Sequence, residues 1–410
     1  MMIMAMKKKK AVLFVPFWRM AGHVGNNRVD RFRRWLTGAG YEIVMICAGS
    51  RESMQPTGWG REITIVDRLG LHPETAAGQH CAVTRKPNKY RRALAYWLFN
   101  PDPAVIWAKT AARHPGVIEA ATGAEFILSS SPPDSAHVGA WMLSQRTGVP
   151  HIMDMRDGWL DEPLKPVLLT SAVRRWQEGR LESRVARDAH AIQVTSEVWK
   201  ELFDARYPDL SNRVHVLTNG YPPSQGAVLQ KREKAGIDEK VLVHAGRFTG
   251  SRLSQKPELL MEPLLRNLRI NSTGGVIRFY GDLAADEVAR IREFQQDLSD
   301  IGWRIEFLGM VPRGQVLDVM RQADGLLLLS ASHAALPSKL FEYLSTGLPI
   351  GYVADSNSAA AGLLKDVPQA VDLRFSKIGL MDMGLRREKL IPTQYGQSHL
   401  AAQFMKNIPR

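Results

Sequence analysis

Cysteine is nearly absent: Cys47 and Cys81 are the only two in 410 residues. That excludes a disulfide-built scaffold and a cysteine-rich metal site, and it fits a reducing compartment. No apolar run reaches the roughly 18 residues that a membrane-crossing helix needs. The N-terminal MMIMAMKKKK places its charges after its apolar residues, with no apolar stretch behind them, which is not the order of a secretory signal. There is no internal repeat and no low-complexity tract. These absences lead to the expectation of a cytoplasmic protein.

What is present is an ordinary globular composition, 45% hydrophobic and 23% charged, in a chain long enough for two or three domains. The net charge of +13 is uneven: residues 1–235 hold 33 Lys/Arg against 22 Asp/Glu, and residues 236–410 hold 21 against 19. The N-terminal half is therefore the basic half. It could face an anionic membrane surface, a phospholipid-linked acceptor or nucleic acid, or be a solvated surface.

The chain opens as a βαβ unit. Residues 11–17 (AVLFVPF) predict a buried strand, 27–38 a helix and 42–48 a second strand. The loop between strand and helix carries Gly22-His-Val-Gly25, a GxxG and not the GxGxxG of a dinucleotide fold. No acidic residue ends the second strand, which weighs against NAD. Residues 51–125 are less regular, with a strand at 62–66 and a basic segment at 85–92 running into Tyr96-Trp97-Leu98-Phe99. A buried helix edge or an interfacial patch would both read this way. Residues 126–130 predict a strand, 134–147 a helix capped by Asp134 or Ser135, and 151–155 another strand. An Arg-rich helix at 171–190 follows. The segment from Pro222 through the charged run after Gly226 is the best linker.

The most informative stretch is 326–350, LLLLSASHAALPSKLFEYLSTGLPI. Leu326–Leu329 is too short for a buried helix and predicts a strand buried on both faces. Pro337 and Ser338 suit a helix start, Leu340, Phe341 and Leu344 supply an apolar stripe, and Gly347 suits the end. Ser338 and Glu342, four apart, share a face. A helix start suits phosphate, and a carboxylate one turn further in suits a ribose diol. An ordinary helix with solvated Lys339 and Glu342 would show the same spacing.

PSKLFEYLSTGLPI resembles the C-terminal donor-site motif of GT-B glycosyltransferases of family 4, the retaining nucleotide-sugar group. The resemblance implies that Glu342 holds the donor ribose, with Pro337, Ser338, Lys339 and Leu340 around the phosphates. The family's further Glu, eight residues before Glu342, is Ala334 here, with His333 beside it. Two more blocks resemble a polysaccharide-building subgroup: the PDP of residues 101–103 followed by Trp107, and SxPPxSxH with GxPxxxDxRDxW over residues 129–159. They imply that His137 lies against the transferred sugar. Asp157 could accept an acceptor proton or hold Arg156. Gly246-Arg247 followed by Arg252 or Lys256 resembles the loop in which two cations grip the diphosphate. Gly22 and Gly25 would approach donor phosphates and acceptor, and Val311 and Pro312 the base.

The implied architecture is α/β GT-B, two Rossmann-like domains facing across a cleft. The expected division is 1–222, a linker at 223–239, a donor domain at 240–391, and a tail at 392–410 crossing back to the first domain. The implied activity is retaining sugar transfer from a UDP- or GDP-type donor to a saccharide, lipid-linked or small-molecule acceptor, in polysaccharide or glycoconjugate synthesis. No cofactor is expected. No D-x-D occurs, so phosphate charge would be met by Lys, Arg and helix ends and no metal is expected. No nucleic acid partner is expected, and the protein could make a peripheral contact with an anionic membrane. The alternatives are a GT-B relative with another nucleotide-sugar reaction, epimerase-like or phosphorylase-like, and a non-enzymatic binder using the basic half.

Overall fold

The computed structural model describes residues 9–18, 24–68, 98–161, 171–221, 239–248, 256–270, 274–382 and 391–409. The chain forms two compact units. The first comprises residues up to Thr195, then Trp199–Leu217 and Ala401–Arg410; the second comprises Ser196–Val198 and Thr218–Leu400.

The first unit is built on an eight-stranded sheet. Its strands in chain order are β1 (Lys10–Phe14), β2 (Glu42–Gly49), β3 (Ser53–Thr57), β4 (Gly60–Val66), β5 (Phe126–Ser131), β6 (His151–Met155), β7 (Ala191–Val194) and β8 (Val214–Val216). Their spatial order is β3, β4, β2, β1, β5, β6, β7, β8, and every pairing is parallel except β3 with β4. The winding reverses between β1 and β5, and ligands of open α/β sheets sit at the carboxyl edge beside such a reversal. Helices α1 (Val24–Gly38), α2 (Val105–Ala111), α3 (Pro115–Ala121), α4 (Ser135–Thr147), α5 (Ala172–Asp188) and α6 (Glu197–Arg206) connect the strands.

The core of this unit packs Val12, Phe14, Val44 and Ile46 against Trp107, Ala108, Ala140 and Leu143. The tail helix Gln397–Lys406 contributes Phe404 to the same unit, its ring 4.9 Å from that of Phe32. Gln403 Nε2 donates to the Val216 carbonyl at 2.7 Å.

Three expectations shift here. β1 stops at Phe14, before Pro16, which has no N–H to give a ladder. α1 begins at Val24, so Gly25 lies in its first turn and not in the preceding loop. β3 escapes sequence reading because it is an exposed edge strand carrying Pro56. Gly22, the basic segment 85–92 and most of the linker lie outside the described residues.

The second unit holds a six-stranded parallel sheet: β9 (Lys240–Ala245), β10 (Gly275–Tyr280), β11 (Trp303–Gly309), β12 (Gly325–Ser330), β13 (Ile350–Ala354) and β14 (Ala370–Asp372). The spatial order is β11, β10, β9, β12, β13, β14, so the winding reverses between β9 and β12. The helices are α7 (Glu258–Leu268), α8 (Ala285–Arg292), α9 (Gln295–Ser299), α10 (Arg313–Arg321), α11 (Ser338–Leu344) and α12 (Ala359–Leu364).

β12 shows why its sequence is all leucine. Leu326 and Leu328 pack with Leu340, Phe341 and Leu344 of α11 on one face. Leu327 and Leu329 pack with Leu260, Met261 and Leu264 of α7 on the other. With helices on both faces no polar alternation survives. Each fully buried leucine contributes about 1.5–3 kcal/mol of transfer free energy.

Candidate active site

In the second unit the candidate residues gather at the carboxyl edge of β9, beside the winding reversal. β9 ends at Ala245, and Gly246 turns the chain with φ +103, a left-handed conformation that side chains disfavour. A Cβ on Gly246 would lie 3.7 Å from Lys339 Nζ, so the lysine rests against bare main chain. Lys339 is the second residue of α11, and the preceding Pro337 is extended at φ −60, ψ 134. Burial lowers the Lys339 ammonium from its ordinary value to about 8, and Glu342, one turn further along, opposes that shift. Tyr343 ties the helix to β9: its hydroxyl accepts from Ala245 N at 2.9 Å and lies 3.3 Å from the Leu327 carbonyl. One cation and one carboxylate, a helical turn apart, thus stand at the end of a parallel strand.

The other expected donor residues are placed less uniformly. Leu340 is wholly buried in the core, so its side chain is withdrawn from any ligand and only its main chain remains. Ser338 is exposed and Pro337 and Glu342 are half-buried. Arg247 follows Gly246 directly, but its guanidinium is ion-paired with Asp282, which follows β10, and both are more than half exposed. Arg252 lies outside the described residues, and Lys256 is exposed just ahead of α7. β11 ends at Gly309 (φ +67), two residues earlier than expected, leaving Val311 half-buried in the turn before α10.

The first unit carries a buried polar cluster that runs along β5 and β6 to their carboxyl ends. Three consecutive serines each reach a different partner. Ser129 Oγ lies 2.6 Å from His137 Nδ1 and 2.7 Å from His151 Nε2. Ser130 Oγ donates to Asp154 Oδ2 at 2.7 Å. The Ser131 carbonyl accepts from Arg156 Nε, and the Pro132 carbonyl accepts from Arg156 Nη2 at 2.8 Å. Asp154 is fully buried and ion-paired with Arg28 at 2.6 Å. SxPPxSxH and DxRDxW are therefore two halves of one network.

His137 is fully buried, not lining a surface, with its ring 6.2 Å from that of Trp159. Desolvation, followed by the charge of Arg156, lowers its pKa to about 3, so the ring is neutral. Its Nε2 has no hydrogen-bond partner among the described residues. Asp157 is half-buried; burial lowers the Arg156 pKa and the charge of Asp157 opposes that, while the hydrogen bonds described for the Arg156 guanidinium go to the two carbonyls. Asp157 also lines a cavity of about 10 Å³ with Trp159, Glu182 and Arg206, roughly the size of one water.

The sequence reading missed the caps and supports. Asp134 makes no side-chain cap to α4. Asp102 does: Oδ2 accepts from Ser135 N at 2.9 Å and Oδ1 from Ser135 Oγ at 2.8 Å. Arg174, paired with Glu178, donates to the Pro101 carbonyl at 2.9 Å and holds that loop in turn. His244, Tyr343 and Asp282 were also not singled out. A polar residue inside the apolar VLVHA of β9 was the one available signal.

Two such sheets, parallel apart from one edge pairing in the first and each with a winding reversal, define a fold, the two-domain α/β architecture of the GT-B type. Residues 25–220 match the family model described as a glycosyl transferase 4-like domain. HepE of Anabaena, solved with UDP, is similar over 98% of this chain and 95% of its own, at 14% identity and TM-score 0.54. OtsA in its apo form gives TM-score 0.62 at 12% identity, covering 98% and 99%. A UDP-forming α,α-trehalose-phosphate synthase of Burkholderia xenovorans, solved with glucose-6-phosphate, gives 0.59 at 10%, covering 98% and 99%. No curated protein matches the sequence. Among the described residues no helix is long and apolar enough to cross a membrane.

Proposed function

We propose that the chain is a retaining transferase of family 4 type that moves a sugar from a nucleotide sugar to an acceptor hydroxyl in polysaccharide or glycoconjugate synthesis. The observation that carries this reading is Lys339 seated on Gly246 with Glu342 one turn away. Lys339, with Arg247 and one of Arg252 and Lys256, meets the diphosphate, and Glu342 takes the ribose hydroxyls. Similar structures solved with UDP and with UDP-glucose favour a uridine donor.

In this reading cations stabilise the diphosphate as its bond to the anomeric carbon breaks. The acceptor hydroxyl attacks on the face the diphosphate leaves, so configuration is retained. His137 reaches the sugar through Nε2 once donor binding uncovers the enclosed ring, and Asp157 takes the acceptor proton. No metal enters, because the cations supply the charge. The acceptor belongs to the basic first unit and is a saccharide, free or lipid-linked, the latter bringing the enzyme to an anionic membrane surface.

Calorimetric titration with UDP, UDP-glucose and GDP tests the donor. Glu342→Ala is expected to weaken binding roughly ten- to a hundredfold, the worth of a charge-assisted hydrogen bond of about 1.5–3 kcal/mol. An unchanged Kd removes Glu342 from the site. Turnover that EDTA abolishes and Mg²⁺ restores overturns metal independence, and an inverted product anomer overturns retention.

A further inference from the structure

We propose that His244 is a positioning residue for Lys339: its imidazole Nε2 accepts a hydrogen bond from the ammonium and holds it over Gly246 before any ligand arrives. The pair stands on geometry. Its consequence for the donor rests on the reading of Lys339 given above.

His244 is fully buried near the end of β9, after the apolar Val241, Leu242 and Val243. A buried imidazole is costly unless its nitrogens find partners. Nδ1 lies 3.0 Å from the Leu327 carbonyl on the adjacent strand β12. A carbonyl only accepts, so Nδ1 carries the proton. The ring is stacked face to face on Phe248, centroids 4.2 Å apart and planes 5° apart, with Phe279 at 5.9 Å on a tilted approach. That enclosure holds the imidazole neutral: burial and then the nearby Lys339 charge push its pKa well below the ordinary histidine value, against weaker opposing effects of Leu327 and Gly246 main chain. A neutral ring protonated at Nδ1 leaves a lone pair on Nε2. Lys339 Nζ, which only donates, is 3.4 Å from it. With Nδ1 protonated, the hydrogen bonds run from Lys339 through His244 to the Leu327 carbonyl, with the Gly246 main chain a second group acting on the ring.

Among the described residues, two titratable groups face Lys339, one neutral and one charged. His244 approaches from β9, and Glu342 lies on the same helix. A lysine stem has rotamer entropy to lose when it is fixed. A fixed acceptor restricts the stem before the ligand binds, so less is lost on binding.

The first test needs no variant. ¹⁵N spectra of the wild-type imidazoles, with the His244 signals assigned by their loss in His244→Gln, should show the tautomer protonated at Nδ1 and bare at Nε2 across pH 6–8. An Nε2-protonated ring overturns the proposal.

The second test compares two variants by competitive acetylation of Lys339 against pH, read by mass spectrometry without nucleotide. His244→Asn keeps a donor near Nδ1 and removes the acceptor, and should lower the Lys339 labelling midpoint. His244→Gln places an amide oxygen near Nε2 and should restore it. A folded His244→Asn with an unchanged midpoint overturns the positioning role. UDP affinity should fall about tenfold in His244→Asn and recover in part in His244→Gln. A shifted midpoint with unaltered UDP affinity keeps the pair and refutes the donor-site reading instead.

Discussion

The Asp102 carboxylate caps a helix that begins 33 residues later in the chain, taking both the main-chain N–H and the hydroxyl of Ser135. A third bond, from Ala104 N at 2.9 Å, fixes the carboxylate itself. His137 follows Ser135 by two positions, so its helical turn is seated by a residue outside its own motif. Asp102→Ala removes these bonds and leaves donors buried. A loss of about 3 kcal/mol or more in urea unfolding is expected, with Asp102→Asn intermediate because its amide oxygen still accepts. A loss below 1 kcal/mol for Asp102→Ala would show that solvent caps the helix.

Arg247 is held by Asp282 in the absence of ligand. If Arg247 meets the diphosphate, ligand and Asp282 compete for it. Asp282→Asn should then tighten UDP binding a few-fold, while Arg247→Ala weakens UDP and UDP-sugar and leaves uridine unaffected. The exposed pair itself contributes little to stability, so neither variant should shift Tm appreciably. Equal losses for uridine and UDP in Arg247→Ala would move Arg247 away from the phosphates.

His137, His151 and His244 are all buried and neutral, with pKa values depressed below the ordinary histidine range chiefly by burial; that of His137 lies at about 3. In the unfolded chain each takes up a proton near pH 6.5. The unfolded state therefore binds more protons between that pH and the folded value, so stability rises with pH there. It is complete above about pH 6.5 and is lost by about 1.4 kcal/mol per pH unit per histidine below it. Urea midpoints should fall steeply from pH 6.5 to 4.5, and more shallowly in each of His137→Gln and His244→Gln. A profile flat over that range would mean that these rings are protonated or open in the folded state.

The catalytic role proposed for His137 has a separate kinetic signature. Its Nδ1 is engaged by Ser129 and its Nε2 is unpartnered among the described residues. A ring that touches the sugar and not the nucleotide should, in His137→Ala, lower kcat and kcat/KM together and leave the UDP Kd within about twofold. A folded variant with wild-type kcat would make His137 a core histidine that supports Ser129 and Trp159.

Much of this fold is written locally. The all-leucine β12, the αL-prone Gly148 (φ 69) and Gly347 (φ 65) after helices, and the strands at His151–Met155 and Lys240–Ala245 follow from residue type and short-range pattern. Hydrophobic period and turn chemistry act within a few residues, so one sequence suffices to read them. The helix that carries Lys339 and Glu342 is legible for the same reason, its start at Ser338 and its apolar stripe being local.

What the sequence could not decide is every partnership across the fold. Asp102 with Ser135, Arg28 with Asp154, Arg174 with Pro101 and His244 with Lys339 join residues 33, 126, 73 and 95 positions apart. Nothing in the local pattern of either member selects the other. Parallel winding brings strand ends from distant segments to one edge. There a buried charge or imidazole must take whichever partner the topology supplies, because leaving it unpaired would cost several kcal/mol. The sequence by itself determined which elements form and which helix carries the cation and the carboxylate. Only the tertiary structure decided that His137 is enclosed, that Arg247 is already paired, and that His244 stands behind Lys339.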